Sequence, residues 1–215
     1  MAPVQRLAAG LVMLLVLLPP TQAADRPVKI VALGDSITAG YGLPADQTFP
    51  ARLACALEAK GYAVTITNAG VSGDTSSGGL DRLDWSVPPG TEAVILELGA
   101  NDMLRGLDSA ATKATLDRIL GKLDARHIPV LLAGMKAMRN LGSDYARDFD
   151  AIYPALASTH SVVFYPFFLD GVAADPQLNQ GDGLHPNAAG VDVIVARILP
   201  QVETLVARVR AARGP

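Results

Sequence analysis

The chain holds three histidines, His127, His160 and His185, so the search for a base that can activate a nucleophile is short. His185 lies in the turn-rich stretch Gly181-Asp182-Gly183-Leu184-His185-Pro186-Asn187, with a carboxylate three residues ahead of the imidazole. A tight turn brings residues three apart side by side, so Asp182 can accept from one ring nitrogen while the other faces a nucleophile. Asp182 can equally serve the turn alone. His127 and His160 each end a helical pattern just before an apolar run, where the helix dipole favours histidine. Both are expected to be structural and to sit at the sheet edge opposite the chemistry.

Two serines compete for the role of nucleophile. Ser36 follows the apolar run Val28–Leu33 in Leu33-Gly34-Asp35-Ser36-Ile37-Thr38, and Ser72 lies in Gly70-Val71-Ser72-Gly73-Asp74-Thr75. Neither stands in a G-x-S-x-G elbow, a pattern the chain lacks. Asp35 and Ser36 also read as helix caps in a βα turn, and the second stretch as a loop of small residues. Neither stretch carries a phosphate-cradle motif. Gly99-Ala100-Asn101-Asp102 follows another apolar run, where the Asn101 amide can either donate to developing negative charge or make a local turn. Spacing by itself does not choose between the two serines.

The elements that must position these residues alternate. Apolar, β-branched runs at Val28–Leu33, Val64–Thr67, Ala93–Leu98, Val130–Leu132 and Val162–Phe164 read as strands buried on both faces. Helical patterns cover Phe49–Lys60, Ser76–Leu83, Ser109–Arg126, Ser143–Thr159 and Asn187–Arg213. This alternation predicts an α/β fold, a three-layer α/β/α sandwich around a five-stranded parallel sheet. Ligands of such sheets bind at the carboxyl ends of the strands. Ser36, Gly70–Thr75, Gly99–Asp102 and Met135–Leu141 all follow strands and are expected along one edge.

Met1–Arg6, the apolar Leu7–Leu18 and the small-residue exit to Ala23 have the order of a secretory signal peptide, with cleavage after Ala23. The apolar run is roughly a dozen residues, short of the ~20 a bilayer span needs. Residues 24–215 are then a single domain, periplasmic or secreted, monomeric, and without a membrane anchor after cleavage. The net charge of −3, with 18 scattered Lys and Arg, argues against a nucleic-acid partner. A single cysteine, Cys55, excludes an internal disulfide and reads as inert packing on the apolar face of a helix. No His, Cys and carboxylate cluster has metal-ligand spacing, so neither metal nor cofactor is expected.

Four blocks, Gly34-Asp35-Ser36, Ser72-Gly73-Asp74-Thr75, Gly99-Ala100-Asn101-Asp102 and Asp182-Gly183-Leu184-His185-Pro186, together resemble the Ser, Gly, Asn and His blocks of the SGNH, or GDSL, hydrolases. Ala69–Thr75, Leu98–Gly106, Ala151-Ile152-Tyr153-Pro154 and Pro166-Phe167-Phe168 are similar to the periplasmic acyl-CoA thioesterase, lysophospholipase and arylesterase branch of that family. The resemblance implies the flavodoxin-like SGNH fold, with Ser36 as nucleophile, His185 as general base and Asp182 as its orienting acid. It also implies an oxyanion hole from the Ser36 and Gly73 N–H groups and the Asn101 amide.

The implied substrate is a small acyl ester or thioester. Met103 and Leu104 follow Asn101 and Met138 follows another strand, apolar in places where loops are usually polar. With Leu184 they are candidate contacts for an acyl chain. The branch usually carries proline where Met138 stands, so the resemblance does not fix a chain length. A carbohydrate O-acetylesterase and a non-catalytic ligand-binding α/β module are the rival readings.

Overall fold

The computed structural model describes residues 26–214; the leader-like segment and its cleavage point lie outside the described residues. The five apolar runs become five parallel strands, β1 (Val28–Gly34), β2 (Val64–Gly70), β3 (Ala93–Glu97), β4 (Val130–Ala133) and β5 (Val163–Tyr165). They form one sheet in the order β2-β1-β3-β4-β5. β1, β3 and β4 are buried almost throughout, as continuous apolar runs covered on both faces require. β2 is not. It is an edge strand whose Thr65, Thr67 and Asn68 stay partly or fully accessible, so the expectation of burial on both faces fails there. β2 also runs three residues further than its apolar pattern, because its ladder with β1 continues to Gly34 opposite Gly70.

Among the described residues nine α-helices connect and flank the strands: α1 (Ser36–Ala39), α2 (Phe49–Ala59), α3 (Ser76–Asp81), α4 (Leu83–Ser86), α5 (Ala100–Leu104), α6 (Ser109–Ala125), α7 (Ser143–Asp150), α8 (Ile152–Thr159) and α9 (Ala188–Arg213). α2 and α9 pack on each other against one face of the sheet, while α3, α6 and α8 cover the other. The predicted helix Ser143–Thr159 divides at Ala151. Pro154 has no N–H for the Asp150 carbonyl and its ring crowds that group, so one helix cannot run through.

Cys55 differs from expectation. Phe49, Leu53 and Leu57 make the buried stripe of α2, and Cys55 stands about 200° around the axis from either leucine, on the exposed side. Among the described residues no helix is long and apolar enough to cross a membrane.

The chain builds β1, steps outward to β2, then returns past β1 to β3. Connections therefore leave β1 and β3 in opposite directions, and the crevice between their carboxyl ends is where a doubly wound sheet accommodates a ligand. Gly34 closes β1 at that point, opposite Gly70 and Glu97 in the two neighbouring strands. A Cβ on Gly34 would stand 2.1 Å from Thr38 Oγ1 and 2.6 Å from Glu97 Oε2. Its absence lets α1 start directly over the sheet edge.

Candidate active site

Ser36 is the first residue of α1. The Asp35 side chain caps that helix by accepting from the Ile37 N–H at 3.0 Å, as the capping expectation foresaw. The capping role and a chemical role for Ser36 are compatible, because the cap uses the Asp35 carboxyl and leaves the Ser36 hydroxyl free.

His185 reaches Ser36 from the loop between β5 and α9. Asp182 Oδ1 accepts from the Leu184 and His185 N–H groups at 2.9 and 3.0 Å, which holds the turn. Its Oδ2 lies 2.6 Å from His185 Nδ1. Asp182 thus stabilises the turn and orients the ring at once. The two backbone N–H groups, His185 first, and then the imidazole hold the Asp182 carboxyl down at about 2. A carboxylate can only accept, so His185 Nδ1 carries the proton and Nε2 is left as an acceptor. Nε2 stands 2.9 Å from Ser36 Oγ. The loop is anchored by a Gln180 N–H donating to the His185 carbonyl at 2.7 Å and an Asn179–Pro186 bridge. The Tyr41 ring rests against the imidazole, with centroids 4.7 Å apart.

Ser72 does not compete for this histidine in the folded chain. It sits in a turn closed by an Asp74 N–H to Val71 carbonyl bond of 3.1 Å, with Gly73 at φ +83° in the third position, where a side chain would be strained. Three cross-links hold this turn to the rest of the edge. Arg105 donates to the Gly73 carbonyl at 2.6 Å, and Asp102 accepts from the Ser76 N–H and hydroxyl at 2.7 and 2.6 Å. Arg82, largely buried, spans Asp74, the Ala69 carbonyl and the Gly34 carbonyl, and so ties β2 to β1 behind the site.

Asn101 lies in the first turn of α5. Its Nδ2 donates to Asp35 Oδ2 at 3.1 Å. Beneath Asp35 is Glu97, the last residue of β3, whose Oε2 accepts from the Asp35 N–H at 3.3 Å and the Thr38 hydroxyl at 2.8 Å. Burial, more than any other influence, pushes the Asp35 carboxyl up to about 6 and the Glu97 carboxyl well above its usual range, with Asp35 itself adding to the rise at Glu97.

Beside this cluster opens a cavity of about 460 Å³, within the range usual for small-molecule sites. Ser36, Asn101 and His185 line it together with all four sequence candidates for acyl contact, Met103, Leu104, Met138 and Leu184. Met103 is buried, while the other three are partly exposed at the rim. His127 and His160 stand away from the site, just ahead of β4 and β5. His160 Nε2 meets Asp117 at 2.7 Å. Among the described residues no group of three or more His, Cys, Asp or Glu side chains can hold a metal ion.

The family model for the GDSL-like lipase/acylhydrolase family matches residues 32–193, the stretch that carries every residue of this site. The chain belongs to that family. Esterase TesA of Pseudomonas aeruginosa is 36% identical over 192 residues, covering 89% of this chain and 94% of that protein. Thioesterase 1/protease 1/lysophospholipase L1 of Escherichia coli K12 is 38% identical over 185 residues, 86% of each chain. The crystal structure of AlinE4, an SGNH-hydrolase family esterase, superposes with a TM-score of 0.71 at 45% identity, covering 83% of this chain and 96% of that one.

Sequence reasoning about this GDSL-family chain passed over Glu97, Arg82 and Tyr41. For Glu97 a signal was present: it is the one charged residue in the otherwise apolar run Ala93–Leu98. A carboxylate is not placed in a buried strand without a partner or a proton. Tyr41 carried none, since the His185 ring it touches lies far off in the chain, and for Arg82 nothing local announced that it also reaches the Gly34 carbonyl.

The raised carboxyl of Asp35 has a consequence for stability. An unfolded chain ionises Asp35 near its ordinary value of 3.8, while the folded chain keeps the proton to about 6. Ionisation therefore opposes folding, and stability is lost as pH rises across that interval. Asp35→Asn removes the charge from both states and still offers an oxygen to the Ile37 N–H. Relative to the wild type its melting temperature should rise by a few degrees between about pH 4 and about pH 7, as thermal melts at the two values would register.

Proposed function

We propose that this GDSL-family serine esterase hydrolyses carboxylic esters and thioesters of short-to-medium acyl chains through an acyl-enzyme on Ser36. The observation that carries the reading is the Ser36–His185–Asp182 relay opening on an apolar cavity. His185 Nε2 would take the Ser36 proton as Oγ attacks the acyl carbonyl, with Asp182 steadying the imidazolium that forms. The Ser36 and Gly73 N–H groups and the Asn101 amide would hold the developing oxyanion. His185 would then return the proton to the departing alcohol or thiol. Water, deprotonated by the same nitrogen, would release the acid.

Support for an acyl chain rather than a sugar comes from the cavity wall. Met103, Leu104, Met138 and Leu184 offer an acyl tail apolar surface and unbranched, adaptable sulfur-bearing side chains. A carbohydrate O-acetylesterase would gain nothing from them. Leu104→Ser combined with Met138→Ser should raise KM for an octanoyl p-nitrophenyl ester about tenfold, since part of the buried tail then meets polar groups. KM for the acetyl ester should stay within about twofold, because a two-carbon acyl group does not reach the rim. Equal effects on both esters would count against an acyl site on this wall. Thioesters and lysophospholipids belong in the same series, since the E. coli relative is named for both activities. We also propose export through the leader-like segment Met1–Ala23 and action as a monomer in the periplasm or outside the cell.

A further inference from the structure

Below Ser36 lies a pair of carboxyl groups that the acyl-transfer cycle does not use. Glu97 is fully buried, and its Oε1 has no hydrogen-bond partner among the described residues. Its Oε2 already accepts from the Asp35 N–H and the Thr38 hydroxyl. A simple acceptor would meet both donors, so satisfying them does not account for a buried side chain that can also give a proton to a neighbour. What distinguishes the acid is its neighbour. Asp35 accepts from the Asn101 amide on one carboxyl oxygen and from the Ile37 N–H on the other, and its own N–H donates to Glu97 directly beneath it.

The Asn101 amide carries two N–H bonds and one carbonyl oxygen, and either end can face a neighbour. An ionised carboxylate accepts only. With Asp35 in that form the NH₂ end must point inward, one N–H is anchored, and the second is left for a carbonyl oxygen above Ser36. A protonated Asp35 could donate to the Asn101 oxygen instead, and the amide would then turn its donors away. Which carboxyl of the pair holds a proton therefore governs how Asn101 is presented. Both are shut off from solvent, and burial, with Asp35 beside it, raises Glu97 well above its ordinary range. His185 faces Asp35 and favours its charged form, while Tyr153 faces both Glu97 and Asp35.

We propose that Glu97, acting through Asp35, is a positioning residue of the oxyanion hole: the buried carboxyl pair fixes the Asn101 amide with one N–H anchored and the other free for the reacting carbonyl. This rests on the reading of Asn101 as an oxyanion donor. Glu97 holds the proton, Asp35 holds the charge, and Asn101 receives its orientation.

The test is a double-mutant cycle on kcat for a short p-nitrophenyl ester, run on the full mature chain with thermal melts alongside. Glu97→Ala should lower kcat about tenfold or more with KM within about twofold. In an Asn101→Ala background the same substitution should cost less than about twofold, since the group it positions is gone. Glu97→Gln keeps an acceptor for both donors and supplies an N–H toward Asp35, so it should hold kcat within about threefold of the wild type. If Glu97→Ala does not fold, Asp35→Asn replaces it in the cycle and should show the same loss and the same disappearance in the Asn101→Ala background.

Equal factors in the two backgrounds overturn the inference and leave the site reading intact, as does an unchanged kcat in folded Glu97→Ala. An unchanged kcat in Asn101→Ala alone would instead overturn the oxyanion reading on which the inference stands.

Discussion

Ser36→Ala should lower kcat on a short p-nitrophenyl ester by about 10⁴–10⁶ while leaving the melting curve nearly unchanged. The hydroxyl is removed from the first turn of a helix whose cap, Asp35 to the Ile37 N–H, stays in place. Only the bond-forming atom is lost. His185→Ala should fall in the same range, because an unassisted serine hydroxyl is a weak nucleophile and Nε2, at 2.9 Å, is the base within reach. The double variant should be no slower than either single one by more than about threefold, since residues that act as one unit lose their joint effect once. Covalent capture by a fluorophosphonate gives an independent reading. The wild type should label at Ser36 and Ser36→Ala should not. Normal ester hydrolysis by Ser36→Ala would end the proposal, and with it any role for the Ser36–His185–Asp182 relay.

Asn101→Ala carries the second largest expected loss, about 10²–10³ in kcat with KM changed less than about threefold. The amide would serve the tetrahedral intermediate more than the bound ester, so its removal acts on turnover rather than on affinity. Asn101→Asp should be at least as damaging. It exchanges a donor for an acceptor and sets a carboxyl against Asp35, whose Oδ2 now receives the Asn101 N–H at 3.1 Å. Steady-state kinetics on acetyl and octanoyl esters separate this from an effect on the acyl wall: the loss should be the same for both chain lengths. A loss confined to KM would show that Asn101 only binds.

Most of the site could be read before folding was considered. Asp182 and His185 stand three residues apart in a turn, so their meeting is a local event, decided by the Asp182 bonds to the Leu184 and His185 N–H groups. Ser36 and Asn101 each follow an apolar strand, and the doubly wound order brings the ends of β1 and β3 together. The misreadings were of another kind. β2 is apolar enough to look central and is an edge; Cys55 lies among apolar neighbours in sequence and faces outward on its helix. A list of residue types carries no side until the element is docked.

By itself the sequence determined the alternation of strands and helices, the residue types able to do acyl transfer, and, in His185, a histidine set in a turn-rich loop with a carboxylate three residues ahead. These follow from periodicity and from short turns, which are settled within a few residues. Spacing left Ser36 and Ser72 level and only the family resemblance favoured Ser36; the tertiary structure brings His185 to Ser36, and it alone joins Glu97, Asp35 and Asn101 in one chain leading from the core to the cavity. Those contacts depend on the register that sets Gly34 beside both Gly70 and Glu97. Register is fixed by packing across the whole sheet, so no single stretch of sequence contains it.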